Sequence, residues 1–150
     1  MFRFLVIALI TFNSFSLELD IFGPCSKEPL FSTTVELSDI SNTQLNIGQA
    51  TVSILHKNEI PFKGTARGLN SIYNSALGLD ALEVISDTKM RSHGWCYSVN
   101  DEGPSVYPDQ IPASNTDRIT WYFCYVSYDS GNWSSQYHAT NEIAPAQFCD

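Results

Sequence analysis

The chain has 150 residues, 8 of them basic and 16 acidic, for a formal charge of −8, and this length suits one domain with tails. So acidic a chain repels phosphate backbones, and no Lys/Arg cluster offsets the repulsion, which excludes nucleic acid as a partner. Beyond the first dozen residues no apolar run approaches the length of a membrane helix, so no transmembrane segment is expected.

Residues 1–16 read as an export signal. Met1-Phe2-Arg3 supplies a positive start, and Phe4 to Phe12 is apolar but too short to span a bilayer. Ser14-Phe15-Ser16 places small residues three and one before a cut, so cleavage is expected after Ser16. No cysteine adjoins that point, so no lipid anchor is indicated. The mature chain then carries 7 basic and 16 acidic residues, a charge of −9, and is expected to be secreted or periplasmic. Cys25, Cys96, Cys124 and Cys149 all follow the signal. An even count in an oxidising compartment argues for two disulfides, with three possible connectivities. The absence of Cys-x-x-Cys fits zinc or dithiol redox chemistry poorly.

Leu17 to Lys27 reads as a lead-in broken by Gly23-Pro24. Thr33, Val35 and Leu37 alternate with polar residues as an edge strand would, and Ser38 to Asn46 is polar loop. Gln49 to Leu55 reads as a strand with Val52 and Ile54 on one side, and Asn58 to Gly64 turns the chain. The spacing predicts a helix over Thr65–Leu77, with Leu69, Ile72, Tyr73, Ala76 and Leu77 forming one stripe. Thr65 is its cap and Gly78 its left-handed terminator. Leu82 to Ser86 is a short strand, and Asp87 to His93 a polar connection.

The most informative stretch runs from Gly94 to Tyr128. Gly94 to Asn100 and Asp117 to Tyr125 both alternate as strands, with a loop, Asp101 to Thr116, holding three prolines between them. Ile119, Trp121, Phe123 and Tyr125 share one face; Thr120, Tyr122, Cys124 and Val126 share the other. An aromatic row of this bulk needs a layer over it, so the ribbon is expected at the centre of the sheet beneath the helix. Asp129-Ser130-Gly131-Asn132 is a turn, followed by Trp133 and a weakly patterned tail. The element order gives an α+β fold, a β-grasp-like mixed sheet packed on one helix.

The segment Thr65–Leu77, with Gly94-Trp95-x-Tyr97-Ser98-Val99-Asn100 and Asp117-Arg118-Ile119-x-Trp121, resembles the transcobalamin C-terminal-like domain family of exported bacterial proteins. The resemblance covers roughly residues 49–133. It divides the chain into a signal (1–16), an N-terminal extension (17–48), the domain (49–133) and a C-terminal tail (134–150). It implies a fold similar to a β-grasp and a binding role, since related domains close over the corrin in vertebrate cobalamin carriers.

Trp95 and Tyr97 are candidate stacking residues for a planar or sugar-like ligand, set against the plainer reading that they fill the core. Tyr107, Tyr128 and Trp133 lie in or beside loops, where binding residues concentrate. His56, His93 and His138 show no metal-ligand spacing, and no nucleophile motif accompanies them. Asp101, Glu102 and Asp109 lack the spacing of a calcium loop. Asn132-Trp133-Ser134 is a glycosylation sequon, meaningful only in a eukaryotic secretory pathway. The expected function is an exported, non-catalytic binding module without a cofactor, for an unidentified small molecule such as a corrinoid or for a protein surface. The contact surface is the 101–116 loop with Tyr128 and Trp133. The alternative is a structural or interaction protein of the cell exterior with no small-molecule pocket. For the cysteines the expected pairs are Cys96–Cys124, on neighbouring strands, and by elimination Cys25–Cys149.

Overall fold

The computed structural model describes residues 15–140 and 144–149; the export-signal reading lies almost wholly outside them. The chain is α+β. Its main sheet has six strands: β1 (Leu17–Phe22), β2 (Phe31–Val35), β5 (Leu82–Ser86), β6 (Lys89–Val99), β7 (Arg118–Asp129) and β8 (Asn132–Ala139). The order is β2-β1-β7-β6-β5, with β8 also on β7. A separate hairpin, β3 (Phe62–Thr65) with β4 (Gly68–Ile72), and one helix, α1 (Ile47–Lys57), complete it.

The expected ribbon is the centre of the sheet. β6 and β7 pair antiparallel along their full length, with Trp95 opposite Phe123 and Tyr97 opposite Trp121. The other edge of β7 is shared, its first half taking β1 in parallel and its second half β8 antiparallel. Leu17 to Phe22 is therefore not a lead-in: Leu17, Leu19 and Ile21 are fully buried at the heart of the core. Residues 132–139, expected as the end of a turn and the start of a weakly patterned tail, are likewise a strand. Both expected disulfides are present, Cys96–Cys124 and Cys25–Cys149, with Cα separations of 5.9 and 5.3 Å.

Helix and strand are exchanged in the middle of the chain. Gln49 to Leu55, expected as a strand, lies in α1. Asn46 accepts from the Gln49 N–H at 2.8 Å while the Gln49 side chain accepts from the Asn46 N–H at 3.1 Å, a complete capping box. Ile47, Ala50, Thr51, Ile54 and Leu55 form its buried stripe.

Thr65 to Leu77, expected as a helix, is instead the second half of the β3–β4 hairpin and its exit. Tyr73 and Asn74 both adopt positive φ (54° and 58°), a left-handed pair that no right-handed helix accommodates. Leu69 and Ile72 of the expected stripe are buried all the same.

α1 lies over the sheet face carrying Ile119 and Trp121, so a helix covers that face as expected, though a different one. The Trp121 indole N–H donates to Thr51 Oγ1 at 3.3 Å. Gly48 lets the helix approach the β3–β4 turn, since a Cβ there would stand 1.7 Å from the Ala66 carbonyl oxygen. Among the described residues no helix is long and apolar enough to cross a membrane.

Candidate functional site

Alternation along β6 and β7 sorts their side chains onto two faces. His93, Trp95, Tyr97, Trp121 and Phe123 point to the covered face, beneath α1, the β3–β4 hairpin and the C-terminal turn. Tyr97 stacks on Trp121 with centroids 5.4 Å apart, and its hydroxyl donates to the Val106 carbonyl. Burial first, and then the Asp109 carboxylate, raise the pKa of that phenol. Trp95 meets Phe123 edge-on and donates its indole N–H to Ser75 Oγ at 2.8 Å. Both residues are partly buried and pack against the core cluster.

Among the described residues no α-helix lies over the other face. Cys96, Tyr122, Cys124 and Tyr128 project from it, and register adds Tyr137, opposite Val126, and Trp133, opposite Tyr128. Tyr137 is 68% exposed and Trp133 51%. Tyr128 and Trp133 form a tilted pair with centroids 5.1 Å apart.

Where β6 leaves the company of β5, the 101–116 loop comes back over the sheet margin and encloses a groove of about 620 Å³. Its walls are Trp95, Cys96, Tyr97, Tyr122, Tyr137 and the loop segment 103–107. The loop is held in shape. Gln110 accepts from the Tyr107 N–H at 3.1 Å, and Asp117 accepts from the Ser114 N–H at 2.8 Å. The Arg67 guanidinium lies 4.1 Å over the Tyr107 ring. Tyr107 is nonetheless 52% exposed. Burial raises the pKa of the Tyr122 phenol on the opposite wall.

The structure thus brings Trp95, Tyr97 and Tyr107 to one groove. It places Tyr128 and Trp133 together, away from that groove along the same open face. Tyr122 and Tyr137 complete the groove and were not singled out from sequence. Tyr122 was legible as lying opposite in phase to Trp121. Tyr137 would have followed from reading the Ser130-Gly131 turn as the start of a return strand.

His93 sits on the covered face with its side chain almost wholly buried, its Nε2 3.2 Å from Glu83 Oε2, which also takes Arg91 at 3.3 Å. Burial lowers its pKa, with Glu83 acting in the opposite direction. Its ring is packed edge-on by Phe148 at 5.0 Å, in the turn that Cys25–Cys149 fastens down. Among the described residues no cluster of His, Cys, Asp and Glu could hold a metal ion.

No family model matches this chain and no curated protein matches it. Among solved structures, a proposed metal-binding protein from Ruminococcus gnavus is similar at 12% identity and a TM-score of 0.45, over 73% of this chain and 96% of that one. A likeness at this level bears on neither ligand nor activity.

Proposed function

We propose that the protein is an exported, non-catalytic binding module whose contact surface is the groove between the 103–107 loop and the open face of β6 and β7. The observation that carries this reading is the gathering of aromatic rings where no core requires them. Tyr107 and Tyr137 stand half or more exposed on opposite walls of one groove. Aromatic rings supply contact area at low conformational cost, and a loop pinned by its own hydrogen bonds keeps its shape without a ligand. The cysteines are engaged in disulfides and His93 with Glu83. Two disulfides support an oxidising, extracytoplasmic setting, secreted or periplasmic.

Membership of the transcobalamin C-terminal-like family, and with it a corrinoid as one possible ligand, stays part of this proposal. Its support is the paired strands carrying Gly94–Asn100 and Asp117–Trp121; the third segment, Thr65–Leu77, is a hairpin and its exit. Native mass spectrometry of the protein purified from its own host tests for a retained small mass. Tyr107→Ala and Tyr137→Ala should weaken its capture while leaving the melting temperature nearly unchanged. No retained mass, with no partner lost on either substitution, would favour the structural alternative.

A further inference from the structure

We propose that a second cavity, between the β3–β4 hairpin and β6, binds a small hydroxylated carboxylate of sugar-acid size, with Lys63 taking its charge. The site goes beyond the aromatic groove, with which it shares only Trp95 among its lining residues. The cavity measures about 490 Å³, a size suited to a small ligand. The hairpin contributes Lys63, Leu69 and Asn70 to its lining, the chain beyond contributes residues 76–78, and β6 contributes His93 and Trp95.

Charge sets the ligand class. Residues 40–79 carry three cations, Lys57, Lys63 and Arg67, and one acid, Glu59, within a chain of −8. Arg67 is held over the Tyr107 ring. Lys63 is exposed and, among the described residues, has no ion pair. No described acid lines the cavity. Asp80, two residues beyond Gly78, lies outside the lining, and Glu83 is taken by Arg91 and His93. One ammonium matches one carboxylate. The second charge of a phosphate monoester would stand unmatched in so acidic a chain.

His93 adds the hydroxyl requirement. Its Nδ1 is buried and has no hydrogen-bond partner among the described residues. Nε2 faces the Glu83 carboxylate, which only accepts, so the ring proton sits on Nε2 and Nδ1 presents a lone pair. A ligand hydroxyl can donate to that lone pair, whereas a carboxylate cannot. The exposed Asn70 amide offers both a donor and an acceptor for further hydroxyls. Leu69 and Trp95 supply apolar surface for the C–H face of a sugar ring.

The test titrates the disulfide-intact chain with glucuronate, glucose and glucose 6-phosphate, reading Kd and resonance shifts by NMR. Glucuronate should shift the Leu69, Asn70 and Trp95 amides saturably and bind about tenfold more tightly than glucose. Lys63→Gln should weaken glucuronate about tenfold, and the melting temperature should hold because Lys63 is exposed. Tyr137→Ala should leave the Kd unchanged, which separates this cavity from the aromatic groove. The His93 Nδ1 nitrogen resonance should move on saturation. No saturable shift with glucuronate overturns the proposal, as does equal affinity for glucose or an unaltered Kd in Lys63→Gln. Tighter binding of glucose 6-phosphate overturns the choice of a singly charged ligand. A His93 resonance that stays still overturns the hydroxyl contact. Shifts confined to residues 103–107 and Tyr137 put the sugar acid in the aromatic groove and overturn this site while upholding that one.

Discussion

The two faces of the sheet around β7 both carry aromatic rings and use them differently. On the covered face Trp121 and Phe123 are each 2% exposed, closed over by α1 and the C-terminal turn. On the open face Tyr137 and Trp133 are half or more exposed, and the layer's middle is tied by Cys96–Cys124 in place of packing. The lesson is that an aromatic in a strand is core only where a second layer exists to meet it. Burial of a ring follows the neighbouring element.

The comparison breaks first at Trp121. Trp121→Ala should destabilise the fold by about 3–5 kcal/mol, as other fully buried aromatic truncations do. Denaturant unfolding would read it, and a loss near zero would mean the covered face is not the core. Next is the open face's own fastening. Replacing Cys96 and Cys124 together by serine should cost about 2–4 kcal/mol through the freed loop, again by denaturant midpoint. Gly48→Ala should cost about 1–3 kcal/mol, because the added methyl collides with backbone that cannot swing aside. Wild-type stability in that variant would show that α1 does not approach the β3–β4 turn so closely.

A smaller effect belongs to pH. Burial holds the folded His93 below its ordinary pKa of 6.5. The unfolded chain therefore binds a proton near pH 6.5 that the folded chain refuses until lower pH. Stability should fall as pH drops below that value and level off beneath the folded pKa. His93→Gln should flatten this part of the melting profile between about pH 7 and 5. An unaltered slope would mean His93 does not contribute to it. The smallest effects are expected on the open face, where Trp133→Ala and Tyr137→Ala should each stay within about 0.5 kcal/mol of the wild type. A larger loss at either would make that ring core and erase the contrast between the faces.

Local pattern by itself determined the ribbon. Strict alternation from Gly94 to Asn100 and from Asp117 to Tyr125 fixes which residues share a face. The opposite phase of the cysteines to Trp95 and Trp121 then sufficed to pair them. The α+β class, the edge strand near Val35 and the exposure of Tyr107 were legible for the same reason, being consequences of near neighbours in sequence.

The middle of the chain was not settled that way, because its apolar residues fit two periods at once. Ile47, Ala50, Thr51, Ile54 and Leu55 are helical in spacing but β-branched in composition, and the Asn46–Gln49 capping box decides for helix. Leu69, Ile72 and Tyr73 fit a helix on paper. The left-handed turn at Tyr73 and Asn74 and the pairing of β3 with β4 decide against it.

The tertiary structure alone supplied β1 as the parallel neighbour of β7. It also supplied β8 as the strand that brings Tyr137 to the groove. Each of these depends on which distant segment reaches a given edge of the sheet. That is a competition among long-range pairings, and no local spacing records its outcome.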